Sequence, residues 1–294
     1  MSFYSEWRAE HDAQIKEYKY TLFLIRNSPL TVLGLAIIAL VLLVAMFAPY
    51  LATHDPEKVV LREINIPPSK EHFFGTDDSG MDVYSRVVYG SRISLRIGAI
   101  VIAISVSVGS ALGVIAGYMG GKIDEFIMRV VDVFFAIPFL ILAMAVAAAI
   151  GERSLETVIL AISFVGWAGY ARLIRGQALS VRENQYVEAA RSLGASNRRI
   201  IFRHVLPNTL APITVQATMD MGGIILAAAG LSFIGFGAPP GTPEWGRMIA
   251  DGREWLVTAW WQVTFPGLAI LITVLGFNLF GDGLRDILDP RLRR

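Results

Sequence analysis

Few residues in this chain are of a type and spacing that supports covalent or metal chemistry. There is no cysteine, so disulfides, thiolate metal sites and thiol nucleophiles are excluded. The four histidines, His11, His54, His72 and His204, are scattered, and no H-E-x-x-H occurs, so no metal ligand is expected. Asp77, Asp78 and Asp82 lie close together but lack the alternating spacing and distal glutamate of a calcium loop. Turn and cap roles suit them better. Gly121-Lys122 does not complete a phosphate loop, because position 116 is Ala and residue 123 is Ile. No catalytic, cofactor-binding or metal-binding residue is therefore assigned, and nothing points to nucleic acid.

The chemistry that remains is recognition. The stretch from Tyr186 to Asn208, YVEAARSLGASNRRIIFRHVLPN, is the most basic in the chain and lies between two long apolar runs. It reads as two short helices. The first runs through Val187, Ala189, Ala190 and Leu193, with Gly194 as the residue that enters the left-handed region after its end. Ser196 caps the second, and Pro207 is expected to end it. The small side chains of Ala189, Ala190, Ser192 and Gly194 leave the first helix nearly bare, which suits close approach to another surface. Glu188, Ala189, Ala190, Arg191, Gly194, Arg198 and Arg199 are the residues expected to dock a separate protein.

The elements around this stretch belong to a membrane. The chain has 294 residues, 54% hydrophobic and only 17% charged, against about 25% charged in soluble domains. The polar N-terminal region reaches Arg26, and the apolar run after it is too long for a cleavable signal. Six segments approach the roughly 20 apolar residues that a span needs: Leu30–Leu51, Ile93–Met119, Phe126–Ile150, Leu155–Ile174, Leu210–Gly235 and Trp261–Phe280. The expected organisation is a cytoplasmic tail (1–29), a first transmembrane helix (30–51), an outer loop with an amphipathic segment (52–91), a five-helix core (92–281) and a cytoplasmic tail (282–294). The docking loop occupies 182–208 of the core. With both termini inside, 17 of the 26 Lys and Arg fall on the inner side, as the positive-inside rule asks.

Several positions carry narrower expectations. Gly109, Gly113 and Gly117 make a flat helix face for close packing, chiefly within the chain. Pro138 and Pro266 are expected to kink their spans. Asp132 is expected to pair with Arg129. Asp220 has no local partner and stands beside Gly222 and Gly223, which marks these three as a candidate translocation pathway. Val83, Val87 and Val88 predict a short amphipathic helix lying on the membrane. The stretch from Gly235 to Pro243 breaks the helix and leads to a gate-like outer segment, with Trp245, Trp255, Trp260 and Trp261 in the interfacial belt.

Glu188-Ala189-Ala190, then Gly194, then Leu206-Pro207 resembles the EAA loop of bacterial ABC importer permeases. Gly75-Thr76-Asp77-Asp78, Gly80, Asp82, Ser85-Arg86 and Gly90-Ser91-Arg92-Ile93-Ser94-Leu95 are similar to the C-type permease of the dipeptide/oligopeptide/nickel group. So are Leu231-Ser232-Phe233-Ile234-Gly235, Thr242-Pro243-Glu244-Trp245-Gly246 and the end from Phe277 to Arg291. The resemblance implies an all-α, six-span type I importer fold in a bacterial inner membrane. It implies a second homologous permease, two ATPase subunits carrying ATP and Mg, and an extracytoplasmic substrate-binding protein as partners, with membrane lipid around them. Glu188 and the nearby arginines would meet an ATPase. Met81 stands where the family often has Arg, and Ala228 where many relatives have an acid. Peptides are the expected cargo; nickel, glutathione or another small solute is the alternative. A self-contained channel or membrane scaffold is the competing class.

Overall fold

The computed structural model describes residues 23–288. It is helical there apart from the connecting loops and one antiparallel bridge between Thr76 and Asp82. The helices are α1 (Pro29–Met46), α2 (Ala48–Leu51), α3 (Val83–Met119), α4 (Gly121–Ala136), α5 (Phe139–Ile150), α6 (Leu155–Arg182), α7 (Gln185–Ser192), α8 (Asn197–Ile200), α9 (Leu206–Ile234), α10 (Trp245–Gly252) and α11 (Trp261–Leu288). Five helical runs are long and apolar enough to cross a membrane, namely α1, α3, α6, the run Asn197–Ile234 and α11. A sixth crossing needs α4 and α5 together, and these meet at 93°.

That bend corrects the single kinked span expected over Phe126–Ile150. Pro138 disfavours helical backbone in the residue before it, and Ile137 is extended at φ −108°, ψ 132°. The chain therefore breaks instead of kinking. The preceding α4 carries Lys122, Asp124, Glu125, Arg129 and Asp132 and is too polar to span by itself. Its acids face α6. Arg175 holds Asp124 through Nε and Nη2 at 2.9 and 2.6 Å. Asp132 pairs with Arg172, not with Arg129, because helix crossing brings a better placed guanidinium from 40 positions away.

The expected separate amphipathic helix is instead the start of α3. Asp82 caps it, accepting from the Ser85 amide at 2.8 Å. The helix has 37 residues, about 55 Å at 1.5 Å per residue, so it projects well beyond a hydrocarbon layer of about 30 Å. α6 likewise passes Ile174 and reaches Arg182. α11 runs through Pro266 and past Phe280, so residues 282–288 of the expected tail are helix. Residues 1–22 and 289–294 of the two tails lie outside the described residues.

Pro207 does not end a helix. The backbone from α8 widens over Ile201–Val205 into a π turn and continues as α9. The Leu206 amide reaches back five residues to the Ile201 carbonyl. Proline has no N–H and its ring crowds the carbonyl four residues earlier; a wider turn relieves the crowding. The Asn208 side chain donates to the His204 carbonyl at 2.6 Å.

Packing follows the small residues. α3 and α6 run parallel, with Gly109 against Tyr170, Gly113 against Ala171 and Ile174, and Gly117 against Arg175 and Ala178. A Cβ on Gly113 would stand 2.5 Å from the Ala171 carbonyl oxygen, so the glycine face serves intramolecular packing. α1 and α11 are antiparallel, with Gly34 against Gly276 and Phe280, and Gly283 against Thr31. α9 and α11 are also antiparallel, with Gly281 at Met219 and Gly222 at Val274. These registers place the start of α1, the α7–α8 turn and the end of α11 at one end of the bundle.

The opposite end is a polar knot. Arg86 on α3 is 1% exposed. It donates to the carbonyls of Pro56, Gly241 and Thr242 at 3.1 to 3.3 Å, and its Nε lies 3.4 Å from Asp77 Oδ2. Trp245 and Trp261 are buried here, donating to the carbonyls of Val87 and Thr76, each at 2.9 Å. They are core residues, not belt anchors, because the segment before α10 folds back onto the bundle. Trp255 and Trp260 are exposed. Gly246 of α10 abuts the backbone of Ala229 in α9.

Gly113→Leu should therefore separate α3 from α6. Overpacking of this kind costs about 1–3 kcal/mol, and thermal unfolding in detergent should show it. Gly169→Ala, with open space around its Cβ, should be near neutral.

Candidate functional site

Two features on one helical run are candidates: a turn at one end and a cavity part-way along. The turn is built from the inside out. Val187 of α7, Ile200 of α8 and Val205 are fully buried and pack with Val114 and Tyr118 of α3 and Ile174, Ala178 and Val181 of α6. Tyr118 donates to Asn197 Oδ1 at 2.9 Å, and Arg182 donates to the Gly117 carbonyl at 3.0 Å. The helix pair is thus fixed to the ends of two long helices.

Its end is locally determined. Gly194 has φ +80°. Its amide donates to the Arg191 carbonyl at 3.0 Å and that of Ala195 to the Ala190 carbonyl at 3.1 Å, the paired bonds of a Schellman turn. The Ser196 hydroxyl accepts from the Arg199 amide at 3.4 Å. With the buried side taken up by anchors, the other side is free. Glu188, Ala189, Arg191, Gly194, Arg198 and Arg199 are exposed, and Ala190 is half-buried. The Arg191 guanidinium lies 5.8 Å from the centre of the Tyr118 ring. Sequence reading counted Leu193 among the helix-forming residues, yet it is 88% exposed. Tyr186 and Phe202 are exposed nearby in sequence. A leucine at a helix end, outside the i, i+3, i+4 stripe set by Val187, was the available signal for an apolar contact residue.

The cavity, about 290 Å³, is lined by Val101 and Ser105 of α3, Phe139 of α5, Gly166 and Tyr170 of α6, and Asp220 and Gly223 of α9 among others. Ser105 Oγ and the Tyr170 hydroxyl are buried without a hydrogen-bond partner among the described residues. Asp220 accepts from Gln216 Nε2 at 2.8 Å. Gly223 has open space where a Cβ would sit, whereas Gly222 faces Val274 of α11 and does not line the cavity. Ala228, where an acid was considered, is buried among apolar residues of α3, α6 and α9. A second cavity, about 260 Å³, lies at the α4–α5 break and shares Phe139 and Gly166 with the first. Tyr170, Ser105 and Phe139 were not picked out from sequence, because no local pattern links them.

The polar knot is buried and electrostatically strained, and among the described residues Arg86 Nε has no hydrogen-bond partner. Burial pushes the Asp77 carboxyl above its ordinary range, against the pull of Arg86 and the Met81 and Ser79 amides. Burial likewise raises Glu244, whose two oxygens cap α10 by accepting from the Gly246 and Arg247 amides at 2.9 and 2.8 Å. These carboxylates hold loops together and do not line the cavity.

A helical bundle with a cavity between its long helices and an exposed turn fixed to their ends has the architecture of a membrane transport subunit. The chain belongs to the family of binding-protein-dependent transport system inner membrane components, whose model it matches over residues 109–294. Residues 21–68 match the N-terminal TM domain of oligopeptide transport permease C. It is 48% identical over 290 residues to the probable D,D-dipeptide transport system permease protein DdpC of Escherichia coli (strain K12), covering 96% of this chain and 97% of that one. It is 44% identical over 269 residues to the dipeptide transport system permease protein DppC of Alkalihalophilus pseudofirmus, covering 92% and 88%. The inward-facing MetNI methionine ABC transporter matches it with a TM-score of 0.57 at 19% identity, over 69% of this chain and 97% of that one. The fold is that of a type I ABC importer permease, and the chain is a multi-pass inner-membrane protein.

Gly223→Leu should fill the cavity and lower transport while leaving the melting temperature nearly unchanged. Tyr170→Phe, which deletes an unpartnered buried hydroxyl, should not destabilise the fold, since an unmet buried donor costs about 1–3 kcal/mol. Thermal unfolding beside a transport assay reads both.

Proposed function

We propose that this chain is the peptide-translocating permease of an ATP-driven importer and that the α7–Gly194–α8 turn docks one ATPase subunit. The observation that carries the docking role is the division of that turn. Val187, Ile200 and Val205 are buried to fix it, while Glu188, Arg191, Leu193, Arg198 and Arg199 are offered outward. An exposed leucine rimmed by charges suits a protein interface, where an apolar centre and polar rim are usual. A turn that only satisfied a charge bias would need neither the anchors nor the leucine.

In this reading the turn, both chain ends and the basic tail lie on the cytoplasmic side. A second homologous permease completes the pathway, two ATPase subunits bind ATP and Mg, and an extracytoplasmic binding protein delivers cargo. Closure of the ATPases draws the two turns together and switches the cavity from inward-facing to outward-facing. This chain supplies no nucleotide site and hydrolyses nothing itself. Peptide cargo is favoured by the dipeptide and oligopeptide permeases among its relatives. Asp220, Gly223 and Tyr170 are placed along the pathway, with Gly222 supporting it from behind.

Glu188→Lys and Gly194→Phe test the docking role. Gly194 has nothing within 4 Å of a built Cβ, so a side chain there strains only the positive-φ backbone, at about 1 kcal/mol. Both variants should insert and fold, yet uptake should fall about tenfold or more, since 1.4 kcal/mol of lost interface contact is a factor of ten. Co-purification of the ATPase should weaken in parallel. Normal uptake by both would remove the docking role.

A further inference from the structure

Two of the histidines that look scattered in sequence, His54 and His72, are neighbours in space. His54 follows α2, His72 lies in the turn before α3, and both rings meet at Asp82, the cap of α3. His72 Nδ1 is 2.9 Å and His54 Nδ1 3.7 Å from the same carboxylate oxygen, Asp82 Oδ1. One ligand atom from each of the three residues falls within 4.8 Å of the others. The rings lie 4.7 Å apart at 30°. We propose that His54, His72 and Asp82 form a binding site for a borderline divalent transition cation of the Zn²⁺ class.

Four observations carry this. First, the spacing fits. Ligands about 2.0–2.1 Å from a tetrahedral ion stand about 3.3 Å from one another, and the two nitrogen–oxygen separations, 2.9 and 3.7 Å, straddle that value. Second, the carboxylate is divided. Asp82 Oδ2 accepts from the Ser85 amide at 2.8 Å to cap α3, leaving Oδ1 turned to both imidazoles. A single proton bridges one nitrogen to Oδ1, whereas a cation between them serves both.

Third, His72 has the outer support of a metal ligand. Its Nε2 is 3.4 Å from Glu63 Oε2, so Nε2–H can face a carboxylate while Nδ1 takes the ion. This arrangement fixes tautomer and ring orientation in histidine metal sites. Fourth, the site is both built and reachable. His72 and Asp82 are buried, while His54 is exposed, its backbone amide held by Ser85 Oγ at 3.0 Å. Thr53 Oγ1, 3.0 Å from His54 Nδ1, edges the same space, and the open side of His54 leaves the fourth position to water. Two imidazoles and a carboxylate suit zinc-like ions and not Mg²⁺ or Ca²⁺, which take oxygen shells. The bound ion would clamp the exit of α1 and α2 to the start of α3.

The test uses the full chain in detergent, carrying an affinity tag without histidine and stripped with a chelator. Zn²⁺ is titrated by calorimetry, Co²⁺ serves as a visible-absorption probe of coordination, and Ca²⁺ is the control. The expected result is one Zn²⁺ per chain, a tetrahedral Co²⁺ spectrum and no Ca²⁺ binding. His54→Ala and His72→Gln should each weaken Zn²⁺ by about tenfold or more and abolish the Co²⁺ bands, with Glu63→Gln weakening it by about tenfold through His72. His54 is exposed, so its variant decides the matter even where His72→Gln fails to fold. Absence of Zn²⁺ binding by the unaltered chain overturns the proposal. So does equal affinity in His54→Ala, which would assign binding to His11 or His204.

Discussion

One buried guanidinium holds this permease together at the end away from the α7–α8 turn. Arg86 is drawn from water at the first turn of α3, and such a transfer costs several kcal/mol unless every donor is met. Three segments converge on its terminal nitrogens and its charge: the loop after α2 through Pro56, the turn before α3 through Asp77 and Met81, and the loop before α10 through Gly241 and Thr242, while Nε has no hydrogen-bond partner among the described residues. Removing one partner of a buried pair leaves the other charge stranded, at about 3–5 kcal/mol. The folded-back path of α10, and through it the burial of Trp245 and Trp261, depends on this charge.

Within the membrane the ordering constraint is different. Lipid offers no hydrophobic drive for helices to associate, so proximity of backbones decides. α3 meets α6 through Gly109, Gly113 and Gly117, and α1 meets α11 through Gly34, Gly276 and Gly283. The close approach continues at the cavity, where a Cβ on Gly166 of α6 would stand 2.7 Å from Ser105 Oγ of α3. The void bounded by Ser105, Tyr170 and Asp220 therefore opens where α5 and α9 join that pair.

What could be read from the sequence was whatever depends on near neighbours or on length. Long apolar runs announce spans because the bilayer sets their size. Gly194 and Ser196 were legible as terminus and cap, since both act within five residues. Pro207 was misread for the same reason. The local rule ends a helix at proline, but the buried anchors Ile200 and Val205 keep the chain on course and a π turn absorbs the misfit. Asp132 found Arg172 instead of Arg129, and Trp245 went inside instead of to the interface, because helix crossing and loop return are tertiary facts. The small and basic residues of the α7–α8 turn were visible as a pattern of type; Tyr170 and Ser105 in the cavity wall were not, since nothing in their neighbourhoods marks a polar group facing a void.

The π turn at Ile201–Val205 has a mechanical consequence. From Asn197 to Ile234 the backbone is one helical rod that bears the α7–α8 turn at one end and Asp220 and Gly223 further along. The ladder of that rod is weakest at the wide turn, where Pro207 removes a donor and Pro212 removes another close by. Asp220 stands about 22 Å beyond Val205 at 1.5 Å per residue. The rod is thus regular where it walls the cavity and weakest beside the turn. A displacement imposed at the short end would flex that joint first, and only what the joint did not absorb would swing the wall.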